Sequence, residues 1–338
     1  RRHDRGRVGR RHRRRRRADA AAGGVTGRVR RLRAYGLGAA AALALAGCVA
    51  SPAPDISPRP EARAEAPAPS AESAAFARYY RTVEARLVAQ GLLRTDRVAA
   101  DAPVTADRLA RNFERIALFD EYTLRAGRFV QQQTPSRLRR WDGPVRLQAH
   151  FGRSVDAAQR AEDRSVLSTY ASRLARVTGH PVSTVASGGN FHVLYLDRDA
   201  QRSAGDLVRR LVPGIGPETI AEIEALPRST FCSVYAFSQS GGRPVYVAAV
   251  AIIRDEHPAL LRRSCVHEEV AQGFGLPNDS PAARPSIFND DEEFALLTRH
   301  DELLLQILYD PRLQPGLEPD AARPLVRAIA TDLLGGPS

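Results

Sequence analysis

The sequence lacks long apolar runs, has no methionine, and contains one tryptophan and three cysteines. The apolar stretch from Leu37 to Ala46 is shorter than the roughly 20 residues that a membrane-spanning helix needs. Charge outside the N-terminal region is also nearly balanced. These absences argue against a membrane-spanning chain. The working hypothesis is an α+β protein with a short N-terminal signal.

The net charge of +12 suggests a nucleic-acid partner, but its distribution argues against one. The first 33 residues hold 15 arginines and only two acidic residues, Asp4 and Asp19. The rest of the chain therefore has a net charge near −1. The segment LVPGIGPETIAEI, from Leu211 to Ile223, resembles a helix-hairpin-helix, yet no basic cluster surrounds it. We predict a glycine turn between short helices there, and no nucleic-acid binding.

The N-terminal region has the order of elements found in a lipoprotein signal. Arginines precede the apolar stretch, and Leu45-Ala46-Gly47-Cys48 follows as a lipobox. This order predicts lipidation of Cys48, which would anchor an exported protein on the periplasmic face of the cell envelope. Val49 after the cysteine is compatible with the outer membrane.

Composition divides the chain into five segments. The first is the basic leader and signal, and the second is rich in proline, alanine and serine, as expected of a tether. Helical periodicity begins near Ala75. The predicted segments are a leader over 1–47, a tether over 48–74, a helical segment over 75–135, a zincin-like domain over 136–317 and a C-terminal helix or tail over 318–338.

Hydrophobic patterning predicts an α+β domain with a mixed sheet, an edge hairpin and a following helix. The second hairpin strand, Val245 to Ile253, is apolar on both faces, as in a central strand. His192 is flanked by apolar residues and is expected in the core, and Trp141 is expected to anchor the first strand. The predicted helices begin at Ala75 or extend over Thr105–Gln132, Val155–Thr178, Ala259–Gly275 and Arg299–Tyr309. The last of these is expected to have Thr298 as its N-cap and Asp301 in a capping box. The predicted strands extend over Val145–Ala149, Asn190–Asp197 and Val245–Ile253, and a further strand begins at Cys232.

The helix from Ala259 carries polar residues on one face. Glu268, Gln272 and Gly275 are spaced i, i+4, i+7, and Asn278 and Asp279 follow. The run E-E-x-x-Q-x-x-G-x-x-N-D resembles the zincin metallopeptidase helix H-E-x-x-H-x-x-G-x-x-H-D with its histidines replaced. His267 is one residue out of register, a rotation of about 100° on a helix.

The donor atoms of this motif do not suit zinc. Zinc favours imidazole nitrogen and thiolate, whereas Glu268, Gln272, Asn278 and Asp279 offer carboxylate and amide groups. We therefore expect no zinc; an oxygen-ligated cation such as calcium stays open. Another acidic run, Asp290 to Glu293, could also hold calcium, although a solvated acidic loop is the commoner case.

Cys232 and Cys265 form an even pair once Cys48 is assigned to the lipobox. In an exported chain, a disulfide is favoured over two free thiols.

The C-terminal part of the sequence also resembles a named family. The runs EEVAQGFGLPND and PSIFNDDEEFALLTRHDELLLQILYDPRL are similar to DUF2927, a proteobacterial family of unknown function whose members are often labelled lipoproteins. The resemblance extends over roughly Leu138 to Leu317. It implies an envelope lipoprotein, and it does not indicate any particular reaction.

Three functional hypotheses follow. The first is an envelope lipoprotein whose zincin-like domain binds a peptide or a protein partner without hydrolysing it. The second is a hydrolase in which Glu269 acts as general base while Glu268, Gln272 and Asp279 hold a non-zinc cation or polarise the substrate. The third is a structural envelope protein.

The zincin-like interpretation makes a geometric prediction. Glu268 and Gln272 should share the exposed face of their helix, Gly275 should turn the chain, and Asn278 or Asp279 should return toward that face. Glu269 should border a cleft between this helix and the edge strand of the sheet. His267 should point elsewhere.

Overall fold

Helices and strands together make an α+β fold in the computed structural model, which describes residues 68–125, 128–238, 243–289 and 291–335. All of these residues belong to one compact unit. The strands are β1 (Phe119–Arg125), β2 (Arg128–Pro135), β3 (Val145–Phe151), β4 (Val182–Thr184), β5 (Phe191–Leu196), β6 (Cys232–Ser238) and β7 (Tyr246–Arg254). The helices are α1 (Ala71–Ala89), α2 (Ala106–Ala117), α3 (Ala157–Thr178), α4 (Arg198–Gln201), α5 (Gly205–Leu211), α6 (Pro217–Ala225), α7 (Ala259–Gly275), α8 (Arg299–Leu308) and α9 (Pro319–Leu333).

The central sheet is mixed, with strand order β4-β3-β5-β7-β6. Strands β4, β3, β5 and β7 run parallel, and β6 pairs antiparallel with β7 at one edge. All six residues of β5 are buried, which explains why this strand has no polar alternation. The expectation that the second hairpin strand is central is confirmed, because β7 lies between β5 and β6.

Alternate residues of the strands face two separate apolar clusters. Phe191, Val193 and Tyr195 of β5 belong to the larger cluster, which also contains residues of α2, α3, α7, α8 and α9. Leu194 and Leu196 face the smaller cluster with α5 and α6. The sheet is therefore covered on both faces, and its β6 edge lies between α7 on one face and α6 on the other.

Two glycines let α7 pack tightly against its neighbours. A Cβ atom at Gly273 would lie 2.5 Å from the Phe191 ring, and the Gly273 carbonyl accepts a hydrogen bond of 2.9 Å from the Trp141 indole. Gly275 has φ 128°, and a Cβ there would lie 2.3 Å from the Arg139 carbonyl oxygen. These contacts fix both the end of α7 and its distance from the sheet.

Capping at α8 follows the sequence signal. The Thr298 hydroxyl accepts from the Asp301 backbone, and the Asp301 carboxylate accepts from the Thr298 backbone, which completes the predicted capping box. Asp301 also accepts hydrogen bonds from the Ser286 hydroxyl and the Ile287 backbone. The same buried carboxylate therefore ties the preceding loop to the helix.

The predicted helix from Thr105 to Gln132 is wrong beyond its first three turns. Helix α2 ends at Ala117, and the antiparallel pair of β1 and β2 follows. The apolar spacing continued past this end, but the later segment is rich in aromatic and β-branched residues such as Tyr122, Thr123 and Val130, which favour strands. Local side-chain preference outweighed the apparent helical period there.

The segments over 75–135 and 318–338 contribute to the same core as the residues between them. Phe113 of α2 and Val326 of α9 both belong to the larger apolar cluster. Within the described part of the chain, no helix has the length and apolar character to cross a membrane. Cys48 and the predicted leader and tether, apart from the last residues before α1, lie outside the described residues.

Candidate functional site

A cleft of about 690 Å³ runs along the edge strand β6. Six consecutive strand residues, from Cys232 to Phe237, line it. Helix α6 contributes one wall with Thr219 and Glu222, and helix α7 contributes the other with Glu268, Glu269 and Gln272. The chain thus places two polar helix faces on either side of a strand edge.

Glu268 and Gln272 share the face of α7 that borders the cleft. The Gln272 amide nitrogen donates a hydrogen bond of 3.0 Å to the Asp279 carboxylate. Asp279 also lines the cleft, so the chain turns at Gly275 and returns to the helix face. This is the arrangement that the motif spacing predicted for these residues.

Asn278 does not face the cleft; of the two residues that the motif spacing allowed to return toward the helix face as binding residues, only Asp279 does so. Asn278 is buried, and its side-chain amide donates 2.8 Å to the Arg115 carbonyl, while its backbone N–H donates 3.2 Å to the Ile116 carbonyl. Both carbonyls lie in the last turn of α2, where the helix itself supplies no donor. Asn278 therefore caps α2.

The carboxylates of Glu268 and Glu269 lie close together. One oxygen of each, and the Cys232 sulfur, all lie within 4.8 Å of one another. Glu269 lines the cleft and is only 4% exposed. The predicted general base thus stands at the junction of α7 and β6.

The predicted disulfide between Cys232 and Cys265 is confirmed, with Cα atoms 5.8 Å apart. Cys232 is the first residue of β6, and Cys265 lies one turn before Glu268 on α7. The bond therefore joins the strand that forms the cleft floor to one of its walls. It also removes the Cys232 sulfur as a thiolate ligand.

His267 points away from the cleft. Its ring stacks on Tyr170 with centroids 4.1 Å apart, and its Nδ1 accepts a hydrogen bond of 3.1 Å from the Leu297 backbone. Burial lowers the pKa of His267 to about 3, and the positive charges of Arg173 and Arg263 add to this effect. The neutral ring is a packing element between α7 and α3.

Sequence reasoning missed Glu222 and Tyr235, which form the opposite side of the cleft. Burial raises the pKa of Glu222 above its ordinary value. Burial also raises the pKa of Tyr235, and the carboxylates of Glu222 and Glu269 raise it further. The only available signal was the alternation of β6, which assigns Tyr235 and Cys232 to opposite faces of the sheet.

The residues of the cleft do not fit the zinc that a zincin-like helix implies. Among the described lining residues there is no imidazole, because His267 is on the other side of α7, and Cys232 is in a disulfide. Glu268, Glu269 and Asp279 provide carboxylate oxygens, and Gln272 provides an amide. Such donors suit hard cations and hydrogen bonding.

Comparison with known proteins identifies the family. The family model described as "Protein of unknown function (DUF2927)" matches residues 106–328. The chain belongs to the DUF2927 family. No curated protein and no solved structure matches the chain. The DUF2927 match includes α6, β6 and α7 completely, so the whole cleft lies in the family domain.

Proposed function

We propose that the cleft of this DUF2927 protein binds an extended segment of a partner polypeptide, which is added as a strand along the outer edge of β6 without zinc-dependent hydrolysis. The observation that carries the proposal is the position of the cleft. It follows six consecutive residues of the edge strand, from Cys232 to Phe237. An elongated ligand in strand conformation fits this shape.

The backbone of β6 supplies the chemistry for such binding. Among the described strands, β6 has β7 as its only hydrogen-bonded neighbour. An edge strand presents a row of N–H and C=O groups on its outer side, and an incoming extended peptide can pair with them. Here α6 and α7 rise on either side of that edge and would shield the peptide from solvent.

The order of elements supports a zincin-like domain as the origin of this cleft. With the short strand β4 and the helices α4, α5 and α6 as insertions, strand β3, helix α3, strand β5, the pair of β6 and β7, and then α7 follow the order expected of a zincin N-terminal subdomain. A zincin receives an extended peptide between its motif helix and its edge strand. Retention of that binding geometry without histidine ligands explains why Glu268 and Gln272 still face the edge strand.

A hydrolase that uses Glu269 as general base is the second candidate. It is supported by the nearness of the Glu268 and Glu269 carboxylates and by the burial of Glu269. Incubation of the peptides that bind, with and without added calcium or magnesium, tests it. Cleavage that disappears in Glu269→Gln would favour the hydrolase, whereas peptides that stay intact under both conditions would favour binding alone.

Strand addition is tested with N-methylated peptides. Seven-residue peptides selected for binding on an array are resynthesised with N-methyl groups at either the odd or the even positions. Because only alternate N–H groups of an added strand pair with β6, one set should lose about tenfold or more in affinity and the other should change little. Equal losses for both sets would contradict strand addition, and absence of any binder would favour a purely structural role.

We also propose that the protein is an exported lipoprotein anchored through Cys48. The lipobox sequence supports this, and the Cys232–Cys265 disulfide is consistent with an oxidising compartment. Detergent-phase partitioning of the full chain should depend on Cys48. A Cys48→Ser protein that still partitions like the parent would contradict the anchor.

A further inference from the structure

The cleft carries acidic groups on both of its walls. Glu222 projects from α6, and Glu268 and Glu269 project from α7, where Asp279 joins them. Among the described residues that line the cleft, Arg139 is the only basic one. A ligand that lies along β6 therefore has acidic side chains on both sides, at the α6 wall and at the α7 wall.

The two walls lie on opposite faces of the sheet. Cys232, Val234 and Ala236 pack toward the larger apolar cluster, on the α7 side. Tyr235 and Phe237 pack toward the smaller cluster, on the α6 side. A strand added to β6 would continue this pleat, so its successive side chains would point alternately to the α7 wall and to the α6 wall.

On the basis of the proposed strand addition, we propose that the preferred occupant carries basic side chains at two adjacent positions. One basic side chain then reaches Glu268 and Glu269, and its neighbour reaches Glu222. Two basic residues separated by one position would both point to the same wall, and the other wall would receive no basic side chain from the ligand. The affinity of the cleft for a peptide thus depends on the spacing of the basic residues as well as on their number.

Burial makes this charge preference strong enough to select a ligand. Glu269 is 4% exposed, and Glu222 is half-buried. Partly desolvated carboxylates attract a cationic group more strongly than exposed ones do, because less water screens the interaction. Arginine adds a planar set of donors that matches two neighbouring carboxylates.

The experiment compares nine-residue peptides of one threonine, valine and serine background. One carries adjacent arginines, one carries arginines separated by a single residue, one carries none, and one carries adjacent glutamates. Titration against the full chain should give the tightest binding for the adjacent pair, about tenfold tighter than for the neutral peptide, with the separated pair between them. The glutamate peptide should bind more weakly than the neutral one.

Two variants of α6 locate the effect. Glu222→Gln should remove the advantage of the adjacent pair over the separated pair. Glu218→Gln is the matched control, since Glu218 is an exposed glutamate on the same helix outside the cleft lining. It should leave all four affinities unchanged. Calcium added to the titration should not displace the arginine peptide.

The outcomes separate this inference from the proposed function. Equal affinity for the neutral and arginine peptides would overturn the charge preference while leaving strand addition in place. Equal affinity for adjacent and separated arginines would overturn the two-wall assignment. Displacement of the peptide by calcium at similar concentration would assign the acidic groups to a metal ion, and failure of all four peptides to bind would overturn both proposals.

Discussion

Two acid-rich regions of this protein use the same side chains in different ways. In the first, which we call the arginine network, Glu302 is 2% exposed and accepts from Arg97 at 2.5 Å, Arg173 at 3.0 Å and Arg299 at 3.2 Å. In the cleft, four acidic residues share the lining with one arginine, Arg139. Acidic groups that are matched by arginines join elements of the fold, whereas an acidic excess at a strand edge is suited to a ligand.

A second ion-pair cluster, separate from the arginine network, contains one residue of the acidic run Asp290 to Glu293 that the sequence left open as a calcium site; Asp290 itself lies outside the described residues. Glu293 pairs with Arg284 at 2.6 Å and with Arg94 at 3.0 Å. The hydrogen bond from Arg284 lowers the pKa of Glu293, against the effect of its partial burial. This glutamate is therefore part of a structural ion-pair network, which also includes Asp101.

The largest expected effect comes from opening the disulfide that joins the cleft floor to its α7 wall. Replacement of Cys232 and Cys265 by serine releases a loop closed over 33 residues, which should lower the free energy of unfolding by about 3–4 kcal/mol. Denaturant unfolding measures the loss. Hydrogen exchange should show that β6 loses more protection than α8, and an unchanged unfolding midpoint would contradict this account of the cleft.

The second largest effect is a loss of stability that should be larger in the arginine network than in the cleft. Glu302→Gln leaves three arginines without their shared carboxylate and should lower the free energy of unfolding by about 2–3 kcal/mol, at the low end for buried pairs because the arginines are partly exposed. Glu268→Gln in the cleft is the matched change and should cost less, because Arg139 is the only arginine among the described residues that line the cleft. Equal losses for the two variants would remove the distinction between the regions.

The titration of His267, which lies on the side of α7 opposite the cleft, should make the stability of the protein depend on pH. The pKa of His267 is about 3 in the folded chain, against about 6.5 when unfolded, so the unfolded chain binds more protons between these values. The stability it contributes is present above pH 6.5 and is lost as the pH falls toward 3. The side-chain oxygen of glutamine in His267→Gln can accept the hydrogen bond from the Leu297 backbone. This variant should reduce the pH slope of the unfolding free energy by the amount that corresponds to about one bound proton. Superimposable slopes would contradict a neutral His267 ring in the folded chain.

The titration of Glu222 should change the free energy of unfolding by a smaller amount than that of His267, and with the opposite dependence on pH. Burial raises the pKa of Glu222 in the folded chain, so the folded state holds its proton to a higher pH than the unfolded state does. Stability from this group is present below the unfolded pKa and is lost as the pH rises through the folded pKa. Relative to Glu222→Gln, the parent chain should become slightly less stable over that window, and Glu218→Gln should reproduce the parent curve. A parent curve that instead gains stability would indicate a lowered pKa.

The sequence allowed prediction of those features that depend on neighbours close along the chain. The Thr298 cap, the disulfide, the hairpin of β6 and β7, and the polar face of α7 each follow from local spacing or from cysteine count. The DUF2927 relation was also visible, because the motif runs are long. In contrast, the helical period past Ala117 could not reveal that this segment pairs as β1 and β2.

The composition of the cleft could not be predicted because it depends on contacts between distant segments. Glu222 meets Tyr235 only after α6 has packed on the face of the sheet opposite α7. Asn278 and Asp279 are adjacent, and the choice of which one faces the cleft was decided by the end of α2, more than 160 residues earlier in the chain. Neither relation leaves a pattern in the local sequence.

Hydrogen exchange of the β6 backbone amides, with and without the adjacent-arginine peptide, is the most direct test of strand addition. We predict that binding protects alternate amides between Cys232 and Ser238, because only the outward-facing N–H groups gain partners. Protection in the α8 region should stay the same. Binding that leaves the β6 amides unchanged, or that protects a different part of the chain, would contradict the central claim that this strand edge receives the ligand.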